Sequence, residues 1–354
     1  MNKNSISTFK VAATYIGTIV GAGFATGQEV LQFFARFGFN GLYGLILTTI
    51  LFIVFGYIIM NLGMQLNANS HLEVIRFSGG KIIGTIIDII ITFFLFGALT
   101  AMIAGSGALV EEQFGLSNII GNLLMAIITA LTVLTGISGV INSISFVVPF
   151  LLISVLGISA YSIAVTPPDM SVSSTIIENS DLISNWVLSS ILYISYNTVL
   201  SIAVLGPLGA QAKDKKAIKY GSILGGLGLG IGSIMIYLAL FGNITEISKL
   251  EVPMIYIAGV ISPIIQIIYS IVLIAEVYTT AVGSLFGFTA RIVNMQEQKN
   301  KARWIVIITT VIAFFASQFG FSNLVKYMYP LVGYGGIVLL ICLIYSLYQS
   351  KKMS

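Results

Sequence analysis

The sequence predicts an all-α polytopic membrane protein: ten transmembrane helices in a 5+5 inverted repeat, with helices 1 and 6 discontinuous. Three observations predict it. Of 354 residues, 57% are hydrophobic and 8% charged, against about a quarter charged in soluble domains. The apolar residues fall in continuous runs, not in the alternation of a transmembrane barrel. Lys and Arg collect in every second connection, as the positive-inside rule demands.

Taken in order, the first apolar run covers 9–35, the second 40–66 and the third, a long one, 80–110. The fourth and fifth, 117–137 and 140–165, are joined at "GISGV". The sixth is 183–210, the seventh 216–242 and the eighth, again long, 253–290. The ninth is 303–320 and the tenth 323–349. A span needs ~20 apolar residues. The first run is longer than a signal-peptide core and is read as a retained span. With one cysteine, Cys342, and one histidine, His71, neither an intramolecular disulfide nor a Cys or His metal cluster is available. Trp186 and Trp304 sit near span ends, where indoles anchor at the interface.

With the N-terminus inside, 14 of the 17 Lys and Arg lie on the cytoplasmic side, leaving Arg36, Lys249 and Lys326 outside. The reading is therefore a bacterial plasma-membrane protein with both termini cytoplasmic. The net charge of +4 records topology and does not point to nucleic acid. A single transporter domain, 1–354, divides at the acidic connection "TPPDMSVSSTIIENSD" into repeats at about 8–166 and 181–350. Five spans per repeat invert the second half relative to the first. The long third and eighth spans then match, as do the first and sixth, both carrying helix breakers.

The first span reads "GTIVGAGFATGQE". Unwinding around Gly21 and Gly23 frees backbone carbonyls for a monovalent cation and amides for a carboxylate. Such backbone survives in a membrane only beside a cavity. Close helix packing is the competing use of these glycines. It is the reading for "GSILGGLGLGIGS" in the seventh span, which has no charge or polar cluster. In the first span Thr18, Thr26, Gln28 and Glu29 accompany the glycines. In the sixth, "SYNTVLSIAVLGPLG" brings Asn197, Thr198, Gly206 and Pro207. In the eighth, Glu276, Thr279, Thr280 and Gly283 share one helical face, with Tyr269 two turns earlier. An acid within a span faces protein or water, never lipid.

Gly17-x-x-Val20-Gly21-x-Gly23 resembles the unwound first helix of the amino acid–polyamine–organocation superfamily, whose fold is the leucine-transporter (LeuT) fold. More narrowly, "GAGFATGQE" with "YISYN" and "LGPLG" is similar to the YkvI family of bacterial membrane proteins. The superfamily resemblance implies a sodium site made by carbonyls of Gly17 and Val20 with Thr279 and Thr280. It implies a substrate site between helices 1 and 6. The chain departs from the sodium pattern at Glu276, whose own carboxylate can take sodium or a proton.

Thr18, Ala22, Gly23, Phe24, Asn197 and Thr198 are therefore the candidate substrate residues, and Gly17, Val20, Glu276, Thr279 and Thr280 the ion-coupling ones. Glu29 is read as a gate or vestibule residue near the outer surface, Asp88 as structural, and Glu111 and Glu112 as solvated. The expected function is secondary active transport of a small amino-acid-like or amine solute by alternating access. Sodium or protons would drive it, with no cofactor. Free amides favour an amino acid; a carboxylate facing the pocket favours an amine. The alternative is a solute-binding receptor or sensor on the same fold. The partners expected are the solute and the lipid bilayer, with no nucleic acid and no protein partner inferable. No P-loop is present, so ATP drive is unsupported. No triad, Gly-x-Ser-x-Gly or paired-aspartate element supports an enzyme. No filter motif supports a channel. A metal-ion carrier lacks its expected Asp-Pro-Gly and Met-Pro-His elements.

Overall fold

The computed structural model describes residues 6–68, 70–135, 137–169, 181–295 and 297–353, with side chains except at 137–148 and 348–353. Lys3, most of the acidic connection and Gly136 of the "GISGV" turn lie outside the described residues.

Helices dominate, and among the described residues the only β pairing is a bridge between Ile6 and Ala212. The first span is three pieces: α1 (Thr8–Ile19), α2 (Ala22–Ala25) and α3 (Gln28–Phe33). Then come α4 (Asn40–Gln65), α5 (His71–Phe114), α6 (Asn118–Leu134), α7 (Ile137–Val165), α8 (Trp186–Gln211) and α9 (Lys215–Phe241). Two short helices follow, α10 (Ile244–Ile247) and α11 (Pro253–Ile261). The chain closes with α12 (Pro263–Ile292), α13 (Lys299–Ala316), α14 (Phe321–Asn323) and α15 (Tyr329–Met353), the last two joined by a π-helical turn at Leu324–Met328.

Seven of the described helices are long and apolar enough to cross a membrane. The expected count of ten is thus not reached by continuous helices. The first span is divided, α6 has only 17 residues, and the fully described part of α7 is Pro149–Val165. The 26 residues of α4 rise about 39 Å, more than the ~30 Å of hydrocarbon. Large apolar side chains face outward in numbers no aqueous surface would carry, such as Ile82 at 79% exposure and Ile153 at 72%. This is a multi-pass membrane protein.

The interior is built around α1, α4, α8 and α9, with α15 packed on both α8 and α5 and α12 packed on α5. The α4–α8 crossing is the tightest. A Cβ on Gly63 would stand 2.0 Å from the Gly206 carbonyl oxygen, and one on Gly209 1.9 Å from that of Met60. Only glycine permits such an approach. Contrary to the sequence expectation, α8 is a single unbroken helix. Asn197 meets its polar need locally, donating to the Tyr193 carbonyl at 2.9 Å, so the helix has no reason to open there. Pro207 falls in the last turns, with Gly206 and Gly209 pressed on α4.

The two ends of the bundle are closed differently. At the end richer in Lys and Arg, His71, Asp88 and Arg291 form one polar cluster that ties α5 to α12, with His71 Nε2 3.1 Å from Asp88. Asp88, read from its position as interfacial or structural, is held there between His71 and Arg291. At the other end, Glu112 is not solvated as expected. Its carboxylate accepts the Glu251 and Val252 amides and so holds the start of α11. Glu251 in turn accepts the Phe321 amide at 3.2 Å, and burial pushes its carboxyl pKa upward. The Met254 amide, at the start of α11, donates to the Thr26 carbonyl at 3.1 Å, laying this cap over the first span.

Candidate functional site

The first span breaks where its glycines are. Val20 (φ −71°, ψ 106°) and Gly21 (φ −124°, ψ −171°) are extended. Among the described residues no backbone amide donates to the carbonyl of Gly17 or Val20. A second interruption follows at Gly27, whose φ of +81° belongs to the left-handed region that glycine alone adopts freely. Thr26 secures this corner: its hydroxyl donates to the Gly23 carbonyl at 3.0 Å and accepts the Gln28 amide at 3.3 Å.

The turn at Gly27 sends α3 off in a direction that lets Glu29 fold back toward the break. Its Oε1 lies 2.1 Å from the place a Cβ would occupy on Gly23. Its Oε2 accepts the hydroxyls of Tyr196 at 2.6 Å and Tyr193 at 3.2 Å, both from α8. Glu29 is 7% exposed. The expected placement near the outer surface is therefore corrected: Glu29 lines the cavity, because the left-handed turn at Gly27 folds it back toward the break.

Opposite the break stands α12. Gly21 is nearest to Thr280, whose Oγ1 lies 3.9 Å from the glycine's would-be Cβ. Thr280 donates to Glu276 Oε1 at 3.3 Å, and Thr279 to the Glu276 carbonyl at 3.0 Å. Glu276 Oε2 is buried without a hydrogen-bond partner. An unpartnered buried carboxylate oxygen is a costly arrangement that asks for a proton or a cation. Two bare carbonyls, two hydroxyls and this oxygen are the hard donor set a small cation takes. Tyr269, on the same helix, donates to the Ala25 carbonyl and steadies α2.

These groups share one cavity of about 1180 Å³. It runs from Phe9, near the basic end, to Glu29. Beyond that the chain is sealed, with Ala25, Thr26, Gln28, Val30 and Leu31 at 0% exposure. Gly17, Thr18, Val20, Ala22, Gly23, Asn197, Glu276, Thr279 and Thr280 all line it. Two expected residues do not. Phe24 is buried on the far side of α2, 3.2 Å from the would-be Cβ of Gly232 on α9. Thr198 is buried in α8 away from the lining.

Among the lining residues that the sequence did not single out are Phe94 of α5, Tyr196 of α8 and Tyr329 of α15. Their ring centroids lie 5.9 Å (Phe94–Tyr196), 5.5 Å (Phe94–Tyr329) and 5.0 Å (Tyr196–Tyr329) apart. Only "YISYN" carried a signal, since Tyr193 and Tyr196 are three apart on one helical face.

No family model matches the sequence. The chain is 31% identical over 334 residues to the uncharacterized membrane protein YkvI of Bacillus subtilis (strain 168), covering 94% of each. The chain belongs to the YkvI family. A second relative from the same organism, the uncharacterized protein YyaD, is 29% identical over 330 residues, 93% of this chain and 94% of that one. The fold of this YkvI-family protein is the LeuT fold of solved transporters. MhsT in complex with L-phenylalanine superposes with a TM-score of 0.66 at 16% identity, over 96% of this chain and 89% of that one. A Na+-coupled sialic acid symporter gives 0.65 at 13%, over 96% and 79%. The nucleobase-cation-symport-1 family transporter Mhp1, with bromovinylhydantoin bound, gives 0.62 at 12%, over 96% and 78%. These neighbours are membrane transporters and not enzymes.

Proposed function

We propose that this YkvI-family protein is a secondary active transporter that moves a small amino-acid-like or amine solute by alternating access, driven by sodium or protons. Its ten membrane segments would form two inverted halves in the bacterial plasma membrane, both termini cytoplasmic. The observation that carries the reading is the single cavity in which the broken first span, α8 and α12 meet. A cavity that reaches one end of the bundle and is sealed at the other is what one half of an alternating-access cycle requires. With the basic end cytoplasmic, it is the inward-open half. Solute would bind at Thr18, Ala22, Gly23 and Asn197. The coupling ion would bind between the Gly17 and Val20 carbonyls and Glu276, Thr279 and Thr280. Support for sodium comes from the unbonded carbonyls and the two hydroxyls that line one cavity with Glu276; support for a proton comes from the unpartnered Glu276 Oε2.

The experiment is solute uptake into proteoliposomes under a sodium gradient and, separately, under a pH gradient. Sodium-driven uptake lost in Thr279→Ala and Thr280→Ala assigns the ion to sodium. Uptake driven by pH alone and lost in Glu276→Gln assigns it to protons. Saturable binding with no flux under either gradient overturns transport in favour of a receptor.

A further inference from the structure

The chemistry of the cavity wall goes further than the fold does and selects among solutes. We propose that the solute is an organic cation, an amine without a carboxylate, whose ammonium group sits against Glu29 Oε1 and the rings of Phe94, Tyr196 and Tyr329. This rests on the reading of the cavity as the solute site and names the substrate class for it.

Charge is the first argument. Among the described residues lining the cavity there are two carboxylates, Glu29 and Glu276, and no Lys, Arg or His. A zwitterion would need a partner for its carboxylate. The place beside Gly23, where free backbone would receive one, is already filled by Glu29 Oε1. A second carboxylate there meets like charge in a poorly solvated site.

The built geometry is the second. Tyr193 and Tyr196 both donate to Oε2, which fixes the carboxylate, while no hydrogen bond from the described residues reaches Oε1. Oε1 therefore offers an acceptor to whatever occupies the cavity. Beside it stand three rings at mutual centroid distances of 5.0 to 5.9 Å. Packed against one another, the three rings line the cavity together, and aromatic rings so placed attract ammonium groups, including alkylated ones. Tyr196 belongs to both arrangements, so acid and rings form one site. A cation placed there also relieves the desolvation of the buried acid.

The test uses the purified full-length protein and matched pairs differing only by the carboxylate: phenethylamine and phenylalanine, isoamylamine and leucine, ethanolamine and serine, cadaverine and lysine. Choline is added as a quaternary probe. Affinities are measured by titration calorimetry. The expected result is that at least one amine binds at least about tenfold more tightly than its amino acid. Glu29→Gln and Phe94→Leu should each weaken that amine about tenfold or more, and Tyr196→Phe by less. Should Glu29→Gln fail to fold, the other two variants decide. Amino acids binding more tightly in every pair, an affinity unchanged by these variants, or no binding by any probe would each overturn the proposal. Flux of the tightest binder in proteoliposomes is scored separately. An amine that binds but does not move leaves this inference standing and removes transport; an amino acid that binds and moves does the reverse.

Discussion

Two glycine-rich stretches of this molecule behave in opposite ways. In the first span, glycines at 17, 21, 23 and 27 accompany two interruptions, at Val20–Gly21 and at Gly27. In α9, the glycines of "GSILGGLGLGIGS" lie inside one continuous helix. The difference is what occupies the space they leave. On α9, every glycine from Gly221 to Gly232 has a neighbour where its Cβ would stand. Val11 stands 2.5 Å from the would-be Cβ of Gly221, Tyr15 2.6 Å from that of Gly225 and Ile16 2.7 Å from that of Gly228, all three from α1. Ile53 lies 2.5 Å from that of Gly226 and Thr49 2.1 Å from that of Gly230, both from α4. Those glycines form a flat track on which two helices ride, and the helix keeps its hydrogen bonds. At Gly21 the nearest neighbour is a threonine hydroxyl at 3.9 Å, across the cavity. At Gly23 the occupant is a carboxylate. With polar groups and open space in place of packing, freed backbone is tolerated. At Val20–Gly21 the chemistry of the neighbour, and not the glycine count, distinguishes a break from a packing seam; at Gly27, packed against Met254, the left-handed φ makes the break.

The comparison can be broken by adding one methyl group at a time. The largest effect is expected from Gly23→Ala. Its Cβ would overlap Glu29 Oε1 and push the carboxylate out of the cavity. Affinity for the bound amine should fall by about 100-fold or more, ~2.7 kcal/mol, while the melting temperature holds. An unchanged affinity would mean that Glu29 does not hold the solute. Next comes Gly226→Ala on the packing seam, where a Cβ would press on the Ile53 backbone nitrogen at 2.9 Å. Overpacking of this kind costs ~1–3 kcal/mol. The expected outcome is a lower melting temperature with unaltered solute affinity, and a selective loss of affinity would show that α9 also gates the cavity. The smallest effect sharpens the hinge. Thr26→Val removes one donor and one acceptor at the corner between α2 and α3. About 1 kcal/mol of stability should be lost, together with a few-fold loss of amine affinity as Glu29 becomes less well aimed. Calorimetric titration reads the affinity and a thermal unfolding scan the stability in all three variants.

Much of this was legible in the one-dimensional pattern. The apolar runs foretell membrane helices because lipid forbids unpaired backbone and water-seeking side chains along ~20 residues. The first-span break was legible because Gly21 and Gly23 come with Thr26 and Glu29, polar groups that a packing seam does not need. The polar face of α12 was legible because Glu276, Thr279 and Thr280 are local neighbours on one helix, and the structure sets them against the broken span. The sixth helix was misread for a related reason. Asn197 looked like a helix breaker, yet it bonds to its own preceding turn, and a polar residue satisfied locally exerts no pull on the backbone. Glu29 was misjudged because sequence distance from the break, six residues past Gly23, stands for outward displacement only in a straight helix. The left-handed turn at Gly27 folds that distance back.

By itself, then, the sequence determined the solvent this chain folds in, the order of its helices, the position of the hinge and the donor chemistry of α12. Each of these depends on residues within a few turns of one another. Only the tertiary structure decided where Glu29 points, that α8 stays whole, and that Phe94, Tyr196 and Tyr329 close around one space. Those rings come from α5, α8 and α15, more than 100 residues apart in sequence between one helix and the next. Nothing in the local periodicity of any one helix specifies which of its faces will meet the others. That choice is made by packing, through close glycine approaches such as Gly333 of α15, whose would-be Cβ stands 2.8 Å from the Leu192 carbonyl oxygen of α8.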